Sequence, residues 1–183
     1  MALLVAAACN DGHDAPAPPS RAETCKTAAS QGANTDAFFY GHKRYDCGPL
    51  LQVPPVREVK ITGPSNGRWL WLNVWATWCH PCIEEIPRIT RWQKQLPNVD
   101  LQLVSIDEDD AAVAAFQQAH PGSPRTARLA DAKTQDAWFK QLGLDANAPI
   151  PIHVFVSPTG HVRCARAGAI REQDRPAIER LLT

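Results

Sequence analysis

The segment Trp69 to Pro87, WLWLNVWATWCHPCIEEIP, constrains the fold more than any other part of the chain. It opens with an apolar run, Trp69 to Ala76, too rich in β-branched and aromatic residues for a surface helix. A run of that length before the turn-like Thr77 and Trp78 suits a central strand buried on both faces. Directly after it come Cys79, His80, Pro81 and Cys82, then an amphipathic segment carrying Ile83, Ile86 and Ile89. The order strand, CxxC, helix sets two thiols at a helix N-terminus, where the positive dipole end favours thiolate.

The chain has 183 residues, enough for one α/β domain with an N-terminal addition. Lys plus Arg and Asp plus Glu balance at 19 each, so the basic excess typical of a nucleic-acid partner is missing. No stretch approaches the ~20 apolar residues of a membrane helix. Met1 to Cys9, MALLVAAAC, is a short run of small and apolar residues ending at a cysteine. It resembles the end of a bacterial lipoprotein signal, although Ala6 stands where Leu is usual and no basic residues precede the run. The expectation is export, with cleavage before Cys9 and lipid on that residue. On this reading residues 1–8 are signal, 9–55 are a lipid-anchor linker and N-terminal extension, and 56–183 are the folded domain.

Residues 10–24 are polar and carry Pro16, Pro18 and Pro19, the composition of an extended spacer. Cys25 and Cys47 follow, and in an exported protein they are a natural structural pair. Such a loop would contribute about 3 kcal/mol on the chain-entropy model. Cys164 competes as a partner. A regular pattern begins at Val56, with an edge-type strand expected to Ile61, a turn over residues 63–67, and the central strand. A helix containing Pro87 follows, then a core strand over Val99 to Ile106. Asp109 or Asp110 should cap the next helix, and a weak strand is expected near Ala127 to Ala130. Thr134 should cap a helix stopped by Gly143. Ile152 to Val156 and Val162 to Ala167 flank the Ser157 to Gly160 turn as a hairpin, and Asp174 should cap the final helix. A βαβ crossover combined with a terminal hairpin makes an α/β fold: a central mixed β-sheet flanked by helices.

A CxxC can be a redox dithiol, half of a zinc site, or a structural bridge. Zinc takes four ligands, commonly from a second CxxC or a paired histidine motif. Here the other cysteines, at 9, 25, 47 and 164, are singletons and the histidines are scattered. A purely structural bridge across so short a loop is uncommon. At the helix N-cap, Cys79 is positioned to be the nucleophilic thiolate, with His80 able to add positive charge. Cys82, one turn into the helix, would resolve the mixed disulfide. Pro81 stiffens the turn where no backbone N–H is needed.

The segment Trp75 to Cys82, WATWCHPC, continued by Glu85, Ile86 and Pro87, resembles the thioredoxin-fold disulfide oxidoreductases. Within them it is most similar to the bacterial TlpA/ResA-type thiol–disulfide group and its WATWCxPCxxExP signature. The resemblance spans roughly Val56 to Thr183 and implies a thioredoxin-like fold behind a proline-rich N-terminal extension. It implies that Pro151 is the cis-proline beside the CxxC, with Pro149 as a rival, and that the backbone of Ile150 pairs with extended substrate. Asn73 stands where thioredoxins hold a buried acid and cannot itself take a proton. Glu85 matches the group's active-site acid, able to raise the thiol pKa or shuttle its proton; a plain surface carboxylate is the competing reading. Trp78, His80 and Pro81 belong to the expected docking surface, while Trp69, Trp71 and the strand histidines read as ordinary packing, and Glu84 as a solvated face.

What the resemblance implies is an enzyme of the periplasmic side that reduces protein disulfides, including those of cytochrome c maturation. It would draw electrons from a membrane donor and need no cofactor beyond the Cys79–Cys82 disulfide itself. The dipeptide leans the other way, since stabilising the Cys79 thiolate raises the reduction potential. An oxidase or isomerase is therefore the first alternative. A peroxidase would lack the tryptophan-framed CxxC, and a copper carrier would use wider cysteine spacing with a distal histidine such as His153 or His161.

Overall fold

The computed structural model describes the backbone of Lys43–Arg44 and residues 48–182. Seven strands form one mixed sheet: β1 (Lys43–Arg44), β2 (Val56–Arg57), β3 (Trp69–Trp75), β4 (Val99–Ser105), β5 (Thr126–Leu129), β6 (Ile152–Val156) and β7 (Val162–Ala167), in the spatial order β1-β7-β6-β3-β4-β5-β2. The apolar run of the opening segment is the middle strand. β3 pairs parallel with β4 and antiparallel with β6, and β6 and β7 form the expected hairpin.

Strand alternation divides β3 between two cores. Trp71 and Trp75 face α1 (His80–Gln93), Phe116 of α2 (Asp110–Ala119), and Ile178 and Leu181 of α4 (Arg175–Leu181). Leu70, Leu72 and Val74 face Trp138 and Phe139 of α3 (Gln135–Gln141). A strand buried on both faces must be apolar at nearly every position, which is why its sequence reads as a continuous run. The exception is Asn73, fully buried on the α1 side. Its register partners are Leu103 on β4 and His153 on β6, and His153 in turn opposes Arg166 on β7.

Several boundaries differ from the sequence reading. The edge strand expected over Val56 to Ile61 is only two residues long, because Glu58 adopts φ 69° and turns the chain out of extended conformation. The sheet also includes residues before Val56: β1 pairs with β7, Leu50 bridges to His161, and Leu51 and Val53 pack on the α3 side. The expected domain start at Val56 therefore falls inside the folded unit. Asp109 caps α2 through Ala111 N–H. Thr134 stands at the N-cap of α3 without a side-chain cap bond; its hydroxyl donates to Asp131 O, and Asp131 caps a preceding 3₁₀ turn. Asp174 likewise accepts from Arg171 N–H and closes a 3₁₀ turn ahead of α4. Gly143, at φ 74°, ends α3 in the left-handed conformation that glycine adopts without penalty. Cys9, Cys25 and Cys47 lie outside the described residues; Cys164 is buried on β7. Among the described residues no helix is long and apolar enough to cross a membrane.

Candidate active site

Cys79 is the N-cap of α1, in extended conformation (φ −88°, ψ 95°), and forms a disulfide with Cys82. Cys82 N–H points at Cys79 Sγ (3.3 Å), so the first turn aims a backbone donor at the sulfur that would carry negative charge. Pro81 occupies the first turn of the helix, where the missing N–H costs nothing. Cys79 retains 5% exposure and Cys82 none, so the N-cap cysteine is the less enclosed of the two.

The approach to the helix is held by a carboxylate that the sequence reading did not single out. Asp107, buried just beyond β4, accepts from Thr77 N–H at both oxygens (3.1 and 2.9 Å) and from the hydroxyls of Thr77 and Ser105 (2.6 Å each). These bonds fix the turn that delivers Cys79 and leave Trp78, 69% exposed, standing beside the disulfide. The Ile150–Pro151 peptide is cis, and Ile150 O lies 3.7 Å from Cys79 Sγ. Pro151 O accepts from Gly168 N–H, tying this loop to the end of β7.

Beneath the disulfide, Glu85 is 1% exposed, so it is a buried acid and the surface-carboxylate reading falls. Its helical position turns it inward with Cys82, one turn earlier, and Ile89, one turn later, all on the buried face of α1. Oε1 accepts from Asn73 Nδ2 (2.9 Å) and Oε2 from Ile170 N–H (2.8 Å). His153, fully buried, brings Nε2 to 3.1 Å from Glu85 Oε1, within ion-pair distance though without hydrogen-bond alignment. Its Nδ1 accepts from the indole N–H of Trp71 (3.2 Å) and faces Asn73 Nδ2 at 3.4 Å. In the sequence Trp71 and His153 read as ordinary packing; in the fold both belong to this polar cluster. The available signal was a polar residue in each of two otherwise apolar strands, but pairing Asn73 with His153 required the β3–β6 register.

Arg166 is half-buried on the same side and donates through Nη1 to Gly168 O and Ala169 O. Burial pushes its guanidinium below the ordinary value, opposed by the nearby Asp174, Cys164 and Glu85 and reinforced by Arg171. On the outer face of α1, Glu84 meets His80: Nε2 to Oε1 is 3.0 Å, with both side chains largely exposed.

The AhpC/TSA family model matches residues 52–165, more than half of the chain and all of the site except its Arg166–Ile170 side. The thiol-disulfide oxidoreductase ResA of Bacillus subtilis is 27% identical over 109 residues, covering 58% of this chain and 57% of its own length. The chain thus spans less than two thirds of that relative. Among solved structures, a thioredoxin-related protein of Neisseria meningitidis serogroup B superposes with a TM-score of 0.52 at 24% identity, over 67% of this chain and 87% of its own. The thioredoxin domain of a thiol-disulfide oxidoreductase of Bacteroides vulgatus gives 0.51 at 16% identity, over 73% and 98%. The chain therefore belongs to the AhpC/TSA family and has a thioredoxin-like fold, with ResA-type thiol–disulfide oxidoreductases among its relatives.

Proposed function

We propose that the protein is a thiol–disulfide oxidoreductase that reduces protein disulfides outside the cytoplasm by dithiol exchange through Cys79 and Cys82. The observation that carries the reading is the unequal pair at the start of α1: a less enclosed N-cap cysteine with a backbone N–H aimed at its sulfur, and a fully buried second cysteine one turn on. In the reduced protein the Cys79 thiolate attacks one sulfur of a substrate disulfide. A mixed disulfide forms and the other substrate sulfur leaves as a thiolate, protonated by solvent. Cys82 then gives up its proton and attacks Cys79 Sγ, closing the internal disulfide and releasing the second substrate thiol. Two electrons pass from the dithiol to the substrate, so the dithiol is itself the redox group and no other cofactor is assigned. Glu85 is the acid we assign to the proton of Cys82, since among the described residues its Oε2 carries only the Ile170 bond and has capacity for a further partner.

Substrate docking is assigned to Trp78, His80 and Pro81 on one side and the Ile150–Pro151 loop on the other. The resemblance of the CxxC segment to the TlpA/ResA-type group implies disulfides of cytochrome c maturation as the substrate class, with a membrane electron donor regenerating the dithiol. The N-terminal sequence supports lipid attachment at Cys9 on the periplasmic side of a bacterial membrane. One feature favours an oxidase or isomerase instead: the N-cap position and His80 both favour thiolate at Cys79.

The test is trapping. A Cys82→Ser variant should accumulate mixed disulfides through Cys79, and the captured partners name the substrate. Trapping by Cys79→Ser and not by Cys82→Ser would reverse the two roles. The equilibrium potential against glutathione sets the direction: a value near that of thioredoxin supports the reductase, and one near the strong oxidants supports the alternative. Intact mass of the protein purified from membranes reports acylation at Cys9.

A further inference from the structure

The segment 168–170, just after β7, supplies no side chain to the exchange reaction, yet it joins two parts of the site. Gly168 N–H donates to Pro151 O (2.8 Å), continuing the β6–β7 pairing one residue past Ile152 and Ala167. Ile170 N–H donates to Glu85 Oε2 (2.8 Å). One end of the segment therefore holds the cis-proline loop, and the other holds the acid beneath Cys82.

Two arginines on different elements fix the backbone between those ends. Arg166, on β7, donates through the single nitrogen Nη1 to Gly168 O (2.6 Å) and Ala169 O (3.0 Å). Arg88, on α1 three residues after Glu85, donates through Nη1 to Ile170 O (2.6 Å). Hydrogen bonds from a guanidinium are charge-assisted and stronger than those between neutral groups. Gly168 has φ 101°, and a β-carbon placed there would meet nothing within 4 Å. Glycine is thus required by the conformation and not by the space around it. Ile170 is fully buried among the residues packed on the α1 side, which anchors the far end.

We propose that Arg166 and Arg88 hold segment 168–170 as a strut that sets the substrate-docking loop and Glu85 at one fixed spacing while the mixed disulfide is resolved. This deepens the dithiol-exchange reading and rests on it. In the resolving step the Cys82 thiol passes its proton to Glu85 and its sulfur attacks Cys79 Sγ. The bond from Cys79 to the substrate sulfur breaks, and that sulfur leaves as a thiolate. A peptide held along Ile150 and an acid placed beneath Cys82 must both be in position at that moment, and misplacing either slows the step. The earlier attack by Cys79 depends instead on the helix N-terminus and the Asp107-bound turn, to which the strut makes no hydrogen bond among the described residues. Arg166 and Arg88 are therefore positioning residues, acting through Pro151 and Glu85.

The test separates the two steps. Reduced protein is mixed rapidly with insulin or with bis(2-hydroxyethyl) disulfide and quenched in acid, and formation and decay of the Cys79 mixed disulfide are followed. Arg166→Met keeps the aliphatic stem and removes the donor. It should lengthen the life of the insulin adduct about fivefold or more. Attack by Cys79 on the small disulfide should be unchanged, and the hydroxyethyl adduct, which has no backbone to lay on Ile150, should be prolonged less. Arg88→Met and Gly168→Ala, the second acting through backbone conformation alone, should give the same split. Arg91→Met removes a neighbouring charge whose described bond is to Glu172, and should change neither step. An insulin adduct of ordinary lifetime in Arg166→Met and Gly168→Ala overturns the strut. So does equal prolongation of both adducts, or attack slowed as much as resolution. The two readings fail separately: an unaltered protein that forms no mixed disulfide on Cys79 sinks the exchange reading, whereas ordinary adduct lifetimes in the variants sink the strut alone.

Discussion

Helix α1 carries two adjacent glutamates, each within reach of a histidine, and the two pairs behave as different chemistry. Glu84 and His80 meet at 3.0 Å on the exposed face, where water screens both partners. Glu85 and His153 meet at 3.1 Å with essentially no exposure, where every hydrogen-bond capacity has to be accounted for. In the first pair either group can exchange its partner for solvent. In the second, Trp71, Asn73 and Ile170 N–H fix which atoms donate and which accept. One residue of helical rotation, about 100°, separates a modest surface contact from the polar centre of the site.

The contrast is most directly broken by deleting one carboxylate at a time. Glu85→Ala leaves Asn73 Nδ2, Ile170 N–H and His153 facing a void, and should lower unfolding free energy by about 3 kcal/mol. Glu84→Ala should change it by less than about 0.5 kcal/mol. Denaturant titration of the two variants side by side measures the difference, and equal losses would show that burial is not what separates the pairs. Next in size is Asp107→Ala, which frees Thr77 and Ser105 from their shared acceptor. A loss of about 2 kcal/mol is expected, together with slower disulfide exchange as the turn before Cys79 loosens. Stopped-flow oxidation of the reduced protein by a small disulfide reads that rate.

On the exposed face, Trp78→Ala should slow reduction of a protein disulfide several-fold and leave reaction with a small-molecule disulfide nearly unchanged. Equal slowing of both would move Trp78 from the docking surface to the positioning of Cys79. The smallest effect belongs to a third histidine, whose partner is a hydroxyl. His161 is buried near the Ser157 to Gly160 turn, with Nδ1 3.1 Å from Thr159 Oγ1. Burial first, and Arg163 second, push its pKa below the ordinary value of 6.5. Below that value the unfolded chain binds the proton more readily, so stability is fully present above it and is lost as pH falls through the lowered folded value. The unfolding midpoint should therefore fall over that window in the unaltered protein and less so in His161→Gln.

The chain order of its residues determined the strand–CxxC–helix core of this protein. A strand buried on both faces must be apolar almost throughout, and the abrupt change to Cys79, His80, Pro81 and Cys82 marks the helix start by local chemistry alone. The N-cap role of Cys79, the early Pro81, the hairpin around residues 157–160 and the Gly143 helix stop are likewise short-range and legible in order. The two-residue β2 was not legible, because the turn at Glu58 gives no warning in an alternating pattern. Nor was the 3₁₀ closure by Asp174, since a capping residue looks the same whichever turn it closes.

The polar cluster belongs to tertiary structure. Asn73, His153 and Arg166 are far apart in sequence and become neighbours only through the register of β3, β6 and β7. A histidine inside an apolar strand can be simple filling until its two nitrogens find their partners. That the second of two adjacent glutamates is the buried one follows from how α1 rotates against the sheet, a choice made by Trp71, Ile86, Ile89 and Trp92 packing together. Sequence sufficed for the thiols because their chemistry depends on the helix end they occupy; the acid beneath them acquired its character from partners brought in by the fold.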